Sequence, residues 1–240
     1  MCEACRLSRR AFCAGTALAL AGRPARAEDG RPVEATLRLP AGGGGPRVAL
    51  TLDACPGAFD ARIAHALADL RVMATIMVTG IWIRQNPTGL AFLKAHPDLF
   101  AIENHGARHV PPVFGERLVF GIQPAGDAAA VRREVEGGAT AIQAAFGTIP
   151  TWYRGATGFY SPQAMPPIEG MGFRIAGYSL NGDLGASLPA AAVADRIAAA
   201  KDGDVIVAHV NQPRRASGPG VVEGMSRLRA RGFQFTGLPA

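Results

Sequence analysis

The sequence predicts one α/β domain built on a parallel sheet, open or closed into a barrel. Three observations predict it. Short β-branched or apolar runs alternate with Ala-rich stretches of helical pattern, and parallel strands need helical crossovers of that kind. The 240 residues, 48% hydrophobic and 18% charged, suffice for one buried core, and no linker divides them. Polar side chains recur just after the apolar runs, the end at which such sheets carry their chemistry. The apolar fraction excludes a disordered chain, and no uninterrupted apolar run reaches the ~20 residues of a membrane span.

Residues 1–27 read as an export signal. Ser8-Arg9-Arg10-Ala11-Phe12 is a twin-arginine pattern, an apolar stretch runs from Phe12 to Gly22, and Ala25-Arg26-Ala27 is a small-x-small cleavage site. No lipobox precedes Cys13, so no stable membrane anchor is expected. Without the five arginines and one glutamate of this segment, 20 bases face 18 acids and the net charge falls from +6 to +2. The basic excess is therefore an address for the twin-arginine export machinery, and no nucleic-acid partner is expected. Cys2, Cys5 and Cys13 leave with it, so Cys55 is the one remaining thiol. The expected destination is the bacterial periplasm or the outside. Residues 28–46, polar and ending in four glycines and a proline, are expected to form a flexible N-terminal segment, with the folded domain spanning 47–240.

Within that domain the pattern predicts strands at 48–52, 74–78, 99–103, 150–153, 173–178 and 204–208, and a short one at 233–236. Helices are predicted at 58–70, 89–95, 126–146, 188–201 and 219–231. Asp53 follows the first strand, Asn104 and His105 the third, Arg154 the fourth, Asn181 and Asp183 the fifth, and His209 the sixth. His105 and His109 are four residues apart, a spacing that lets two imidazoles share one divalent ion. Asp53 either caps the helix beginning near Ala58 or faces the same site, where Arg154 can pair with it. His65, inside a helical pattern, and His96, before Pro97, read as structural.

In this order the segments resemble the five motifs of the NodB-type polysaccharide deacetylases, the family-four carbohydrate esterases, from Val48 to Leu238. The stretch from Ala101 to His109 is close to the second motif, and Thr51-Leu52-Asp53, Arg154 to Gly158, Tyr178 to Asp183 and Val207-Ala208-His209 follow the others more loosely. The resemblance implies a distorted (β/α) barrel and a metal-dependent hydrolase that removes acetyl groups, as amide or ester, from an oligo- or polysaccharide. His105 and His109 would bind one divalent metal, zinc foremost, with cobalt, manganese or nickel open. Asp53 would be the general base, oriented by Arg154, and His209 the general acid. Asn181 or Asp183 would fix the polar network around His209 and Arg154. The backbone N–H near Thr157, with Tyr160 beside it, would hold the oxyanion.

Three departures stand out. Ala54 occupies the place of the family's second aspartate, a metal ligand; Ala156 replaces a proline; Leu184-Gly185 replaces a tryptophan. Two histidines alone make a weak zinc site. Asp53, Glu103 or Cys55 could supply the third ligand. The first two are preferred, because buried thiols mostly serve packing and Glu103 alternates in phase with His105. Trp82, Trp152, Tyr153, Phe159 and Tyr160 could stack on sugars or fill the core. Two other functions compete with the deacetylase: a silent glycan-binding protein on the same scaffold, and a metal-dependent amidohydrolase of another small substrate.

Overall fold

The computed structural model describes residues 31–239, so the export signal expected at 1–27 lies outside the described residues. The elements run β1 (Val33–Glu34), β2 (Arg47–Ala54), α1 (Ala61–Asp69), β3 (Ala74–Val78), α2 (Gly80–Gln85), α3 (Pro87–Ala95) and β4 (Phe100–Asn104). Then come α4 (Ala128–Phe146), β5 (Trp152–Tyr153), β6 (Phe159–Tyr160), α5 (Met165–Gly170), β7 (Arg174–Ile175) and β8 (Leu180–Asn181). The chain ends with α6 (Ala190–Ala198), β9 (Val205–His209), α7 (Ser217–Ala230) and β10 (Gln234–Thr236). The main sheet is ordered β7-β5-β4-β3-β2-β9-β8, with β10 against the start of β2, and its ladders are parallel throughout. It is a curled half-barrel.

Strand β2 shows why. Parallel strands are buried on both faces, so they read as nearly continuous apolar runs. Val48, Leu50, Leu52 and Ala54 pack outward into one core with Ile63, Leu67, Ile197 and Met225 of the surrounding helices. Ala49 lies on the opposite face, against Leu39 and Val205. Thr51 and Asp53 share that inner face by alternation. Helix α1 is capped by Asp60, whose side chain accepts from the Arg62 N–H, so Asp53 is spared that task.

Two expectations change. The run 173–178 is not one strand: β7 pairs with β5 at one edge of the sheet, and β8 pairs with β9 at the other. Between them the chain crosses the open side, and Gly177 lies so close to the N-terminal segment that a Cβ there would stand 2.5 Å from the Ala35 oxygen. That segment is the second correction. Residues 33–39, expected to be flexible, are strapped to the barrel. Val33 and Glu34 pair antiparallel with Tyr160 and Phe159. Ala35 N–H donates to Gly158 O, Tyr178 N–H to Ala35 O, and Leu39 N–H to Gly203 O, the last at 2.8 Å. Arg38 pairs with Asp204 at 2.5 Å, and Leu37 packs on both small apolar clusters that include Ala49 and Met77.

Candidate active site

The ends of β2, β4, β5, β8 and β9 converge on one cleft of about 560 Å³. At its floor Arg154, just past β5 and fully buried, is held on four sides. It donates to Asp53 Oδ1 at 2.7 Å, Thr51 Oγ1 at 2.8 Å, Ala176 O at 2.9 Å and Gly177 O at 3.1 Å. Burial alone would push the Asp53 carboxyl up, but the Arg154 guanidinium, helped by His105 and His209, outweighs it and holds it below the usual aspartate range. Asp53 is ionised at neutral pH, one oxygen tied to Arg154 and the other lying 3.8 Å from His105 Nε2.

Across the cleft a second carboxylate holds a second cation. Asp183, fully buried after β8, accepts from the His209 backbone N–H at 2.8 Å and stands 2.9 Å from its Nδ1. A carboxylate can only accept, so Nδ1 carries a proton and Nε2 is left for the cleft. Burial would lower the His209 pKa; the bond to Asp183 prevails and raises it well above the usual imidazole value.

Three donors for a metal gather between these pairs. Cys55, His105 and His109 each offer a ligand atom, all within 4.8 Å of one another. His105 Nδ1 lies 2.7 Å from the Arg154 carbonyl oxygen, which fixes the proton there and turns the Nε2 lone pair toward the Cys55 sulfur, 3.4 Å away. Burial pushes the Cys55 thiol up, but His105, His109 and His209 together bring it well below the usual range. One thiolate and two imidazoles form an S/N set that suits zinc. A donor that could replace the one missing at Ala54 thus lies one residue later: the Ala54 methyl packs into the helix-side core, and the next side chain, Cys55, lines the cleft.

The loop that presents His109 is shaped from behind. His109 adopts a left-handed φ of 67°, and the buried Glu134 of α4 accepts from the N–H groups of its two neighbours, Arg108 at 2.8 Å and Val110 at 3.1 Å. Gly106, at φ 89°, permits this approach, since a Cβ there would sit 2.4 Å from Glu134 Oε1. The cleft rim is apolar and aromatic. Phe120, 77% exposed at the tip of the 115–122 turn, meets Phe159 edge to face at 5.5 Å, and Leu184 lies opposite in the same rim.

Residues 41–176 match the family model described as "Polysaccharide deacetylase", more than half of the chain. The chain belongs to the polysaccharide deacetylase family. No curated protein matches it by sequence, and its likeness to solved structures is one of fold. The Bc1960 peptidoglycan N-acetylglucosamine deacetylase is 18% identical with a TM-score of 0.69, over 85% of this chain and 90% of that one. An acetyl xylan esterase from Clostridium thermocellum, solved with cobalt, is 24% identical with a TM-score of 0.63, over 79% and 87%. BA3943 of Bacillus anthracis, a pseudoenzyme of family-four carbohydrate esterases, is 17% identical with a TM-score of 0.63, over 80% of this chain. The chain spans 63% of that protein's length and 65% of its mutant with restored activity.

The family's expected residues do not all reach the cleft. Glu103 turns away: its carboxylate accepts from the Thr151 and Trp152 N–H groups, both at 2.8 Å. Glu103 is on the inner face, in register with Met77 and through it with Asp53, but those two bonds hold its carboxylate at the start of β5 and it does not line the cleft. Asp53 has one oxygen tied to Arg154, and the donors that gather most closely with His105 and His109 include Cys55. Tyr160 is fully buried and its hydroxyl accepts from Gly155 N–H at 2.7 Å, so it shapes the 154–158 turn instead of meeting an oxyanion. Asn181 lines the cleft, yet its Oδ1 takes the Leu184 N–H and it does not touch Arg154. Thr157 lines the cleft at a left-handed φ of 71°. Trp82, Trp152, Tyr153 and Tyr160 are buried, so of the expected stacking faces only Phe159 lines the cleft. His65 and His96 flank the Phe92 ring, as structural residues would. Sequence reasoning gave no role to Glu34, Phe120, Glu134 or Tyr178; of these only Tyr178, which ends the predicted run 173–178 and opens the segment up to Asp183, carried a signal that could have found it.

Proposed function

We propose that the protein is an exported, metal-dependent hydrolase that removes acetyl groups from a glycan. The observation that carries this reading is the pairing of two opposed acid–base units, Asp53–Arg154 and Asp183–His209, around the Cys55/His105/His109 donors in one cleft. Bound to those donors, a zinc-type ion supplies Lewis-acid activation of water and of the acyl carbonyl. The residues of the chain do the rest. Asp53, fixed by Arg154 through one oxygen, accepts the proton of the attacking water on the other. The Thr157 backbone N–H holds the developing oxyanion. His209, kept cationic by Asp183, gives its Nε2 proton to the departing amine or alkoxide. Phe120 and Phe159 offer an apolar face to the sugar ring. The twin-arginine pattern at residues 1–27 supports export by a route that carries folded cargo, which would let the metal be taken up in the cytoplasm first.

A second reading is a silent glycan-binding protein, favoured by the alanine at position 54 and by the pseudoenzyme with a similar fold. Elemental analysis of untagged protein, followed by acetate release from acetylated chitooligosaccharides and xylan, separates the two. The deacetylase reading expects one divalent ion per chain, absent in His105→Ala, and acetate release that His209→Ala lowers by about 10²–10⁴ with metal retained. Metal-free protein and no acetate would leave the silent reading standing.

A further inference from the structure

The N-terminal strap brings a carboxylate to the cleft that none of the proposed chemistry uses. Glu34 of β1 lines the cleft and also a second groove of about 570 Å³, which runs along residues 36–38 and 178–184. The two cavities share Glu34, Tyr178, Asn181 and Leu184, so the groove adjoins the cleft. The Glu34 carboxylate accepts from the Tyr178 hydroxyl, and the Tyr178 ring lies 5.7 Å from the Arg154 guanidinium carbon. The other charges here are balanced. Asp53 pairs with Arg154, His209 with Asp183 and Arg38 with Asp204, while His105 and His109 belong to the metal donors. Among the described residues Glu34 forms no ion pair, and its one hydrogen-bond partner is the neutral Tyr178 hydroxyl. An uncompensated carboxylate in a groove complements a cation, and a charge-assisted bond to an ammonium is stronger than one to a sugar hydroxyl.

We propose that this groove is a second sugar subsite whose Glu34 binds the free amine of a hexosamine next to the residue being deacetylated. The inference rests on the deacetylase reading and deepens it: the preferred substrate is a partly deacetylated amino-sugar chain, and uronic-acid polymers are repelled.

Acetate release is compared for a fully N-acetylated chitotetraose and one carrying two free amines. At low salt the wild type should favour the latter by about tenfold in kcat/KM. The preference should shrink at ~0.5 M NaCl and approach unity in Glu34→Gln, which keeps an acceptor for Tyr178. Equal rates in the wild type at low salt, or a preference that survives in Glu34→Gln, would overturn the proposal while leaving the deacetylase reading intact. Should neither substrate release acetate, calorimetry with the glucosamine tetramer decides. Binding about tenfold tighter than that of the acetylated tetramer, weakened by salt, keeps the subsite without the catalysis, and equal binding of the two removes it.

Discussion

Replacing Arg154 by alanine tests the floor of the cleft without reference to any substrate. The guanidinium is buried and makes four hydrogen bonds, to Asp53, Thr51 and the carbonyls of Ala176 and Gly177. Its removal strands a carboxylate that is itself only 6% exposed. Breaking a buried ion pair from one side costs about 3–5 kcal/mol, chiefly because the remaining charge is left uncompensated. Total stabilities are only ~5–15 kcal/mol, so the urea midpoint of the chelator-treated protein should fall sharply at unchanged m-value. The explanation makes a second demand. Adding Asp53→Asn to Arg154→Ala removes the stranded charge and should recover about 1–3 kcal/mol. Arg154→Lys should recover less than full stability, since a point charge cannot reach Asp53 and both carbonyls together. A loss below ~1 kcal/mol for Arg154→Ala, within reach of an ordinary substitution, would refute the reasoning. So would a double variant no more stable than the single one.

Asp183→Asn should move the basic limb of the kcat/KM–pH profile downward. Asp183 raises the His209 pKa, so the acid form persists at neutral pH and is lost only as pH rises through that raised value; without the carboxylate the loss comes nearer ~6.5. An unmoved limb would dissociate His209 from the profile. Glu134→Ala leaves the N–H groups on both sides of His109 without their acceptor and should weaken zinc binding about 10–100-fold in chelator competition, with Glu134→Gln in between. Zinc held as tightly as by wild type would show that the loop keeps its shape unaided. Cys55→Ser should cost at least as much affinity as that outer-sphere change, more than ~10-fold, whereas Cys55→Asp should retain most of it; indifference to Cys55→Ser would return the third ligand to Asp53.

The strands that carry Asp53, His105, Arg154 and His209 were legible because each is an apolar run ending in a polar residue, a pattern set locally by the burial of parallel strands on both faces. Strand β3 falls where the pattern puts it, at 74–78. What failed was whatever depends on distant partners. The run 173–178 looks continuous in sequence, yet its ends join opposite edges of the sheet, and no local pattern carries that information. The resemblance places Tyr160 beside the oxyanion, with the core as the alternative; it is buried and its hydroxyl is used within the Arg154 turn. The strap at 33–39 is mostly exposed and low in pattern, and its order comes from backbone bonds to Gly158, Tyr178 and Gly203, residues more than a hundred positions away.

The third metal donor shows the same limit in its sharpest form. Read by position, the chain lacks a ligand at Ala54, and of the three remedies nearby the carboxylates Asp53 and Glu103 are preferred to Cys55. Read by direction, position 54 points its side chain into the helix-side core, while position 55 lies beyond the β2 ladder, where Pro56 follows. There the thiol sits within reach of His105. The same alternation that buries Ala54 delivers Cys55, so the exchange needs no rearrangement of the strand. A carboxylate donor suits hard and borderline ions alike, whereas a thiolate beside two imidazoles favours zinc over manganese. The substitution that argues for a silent site when counted along the sequence therefore argues, in three dimensions, for a site with a narrower choice of metal.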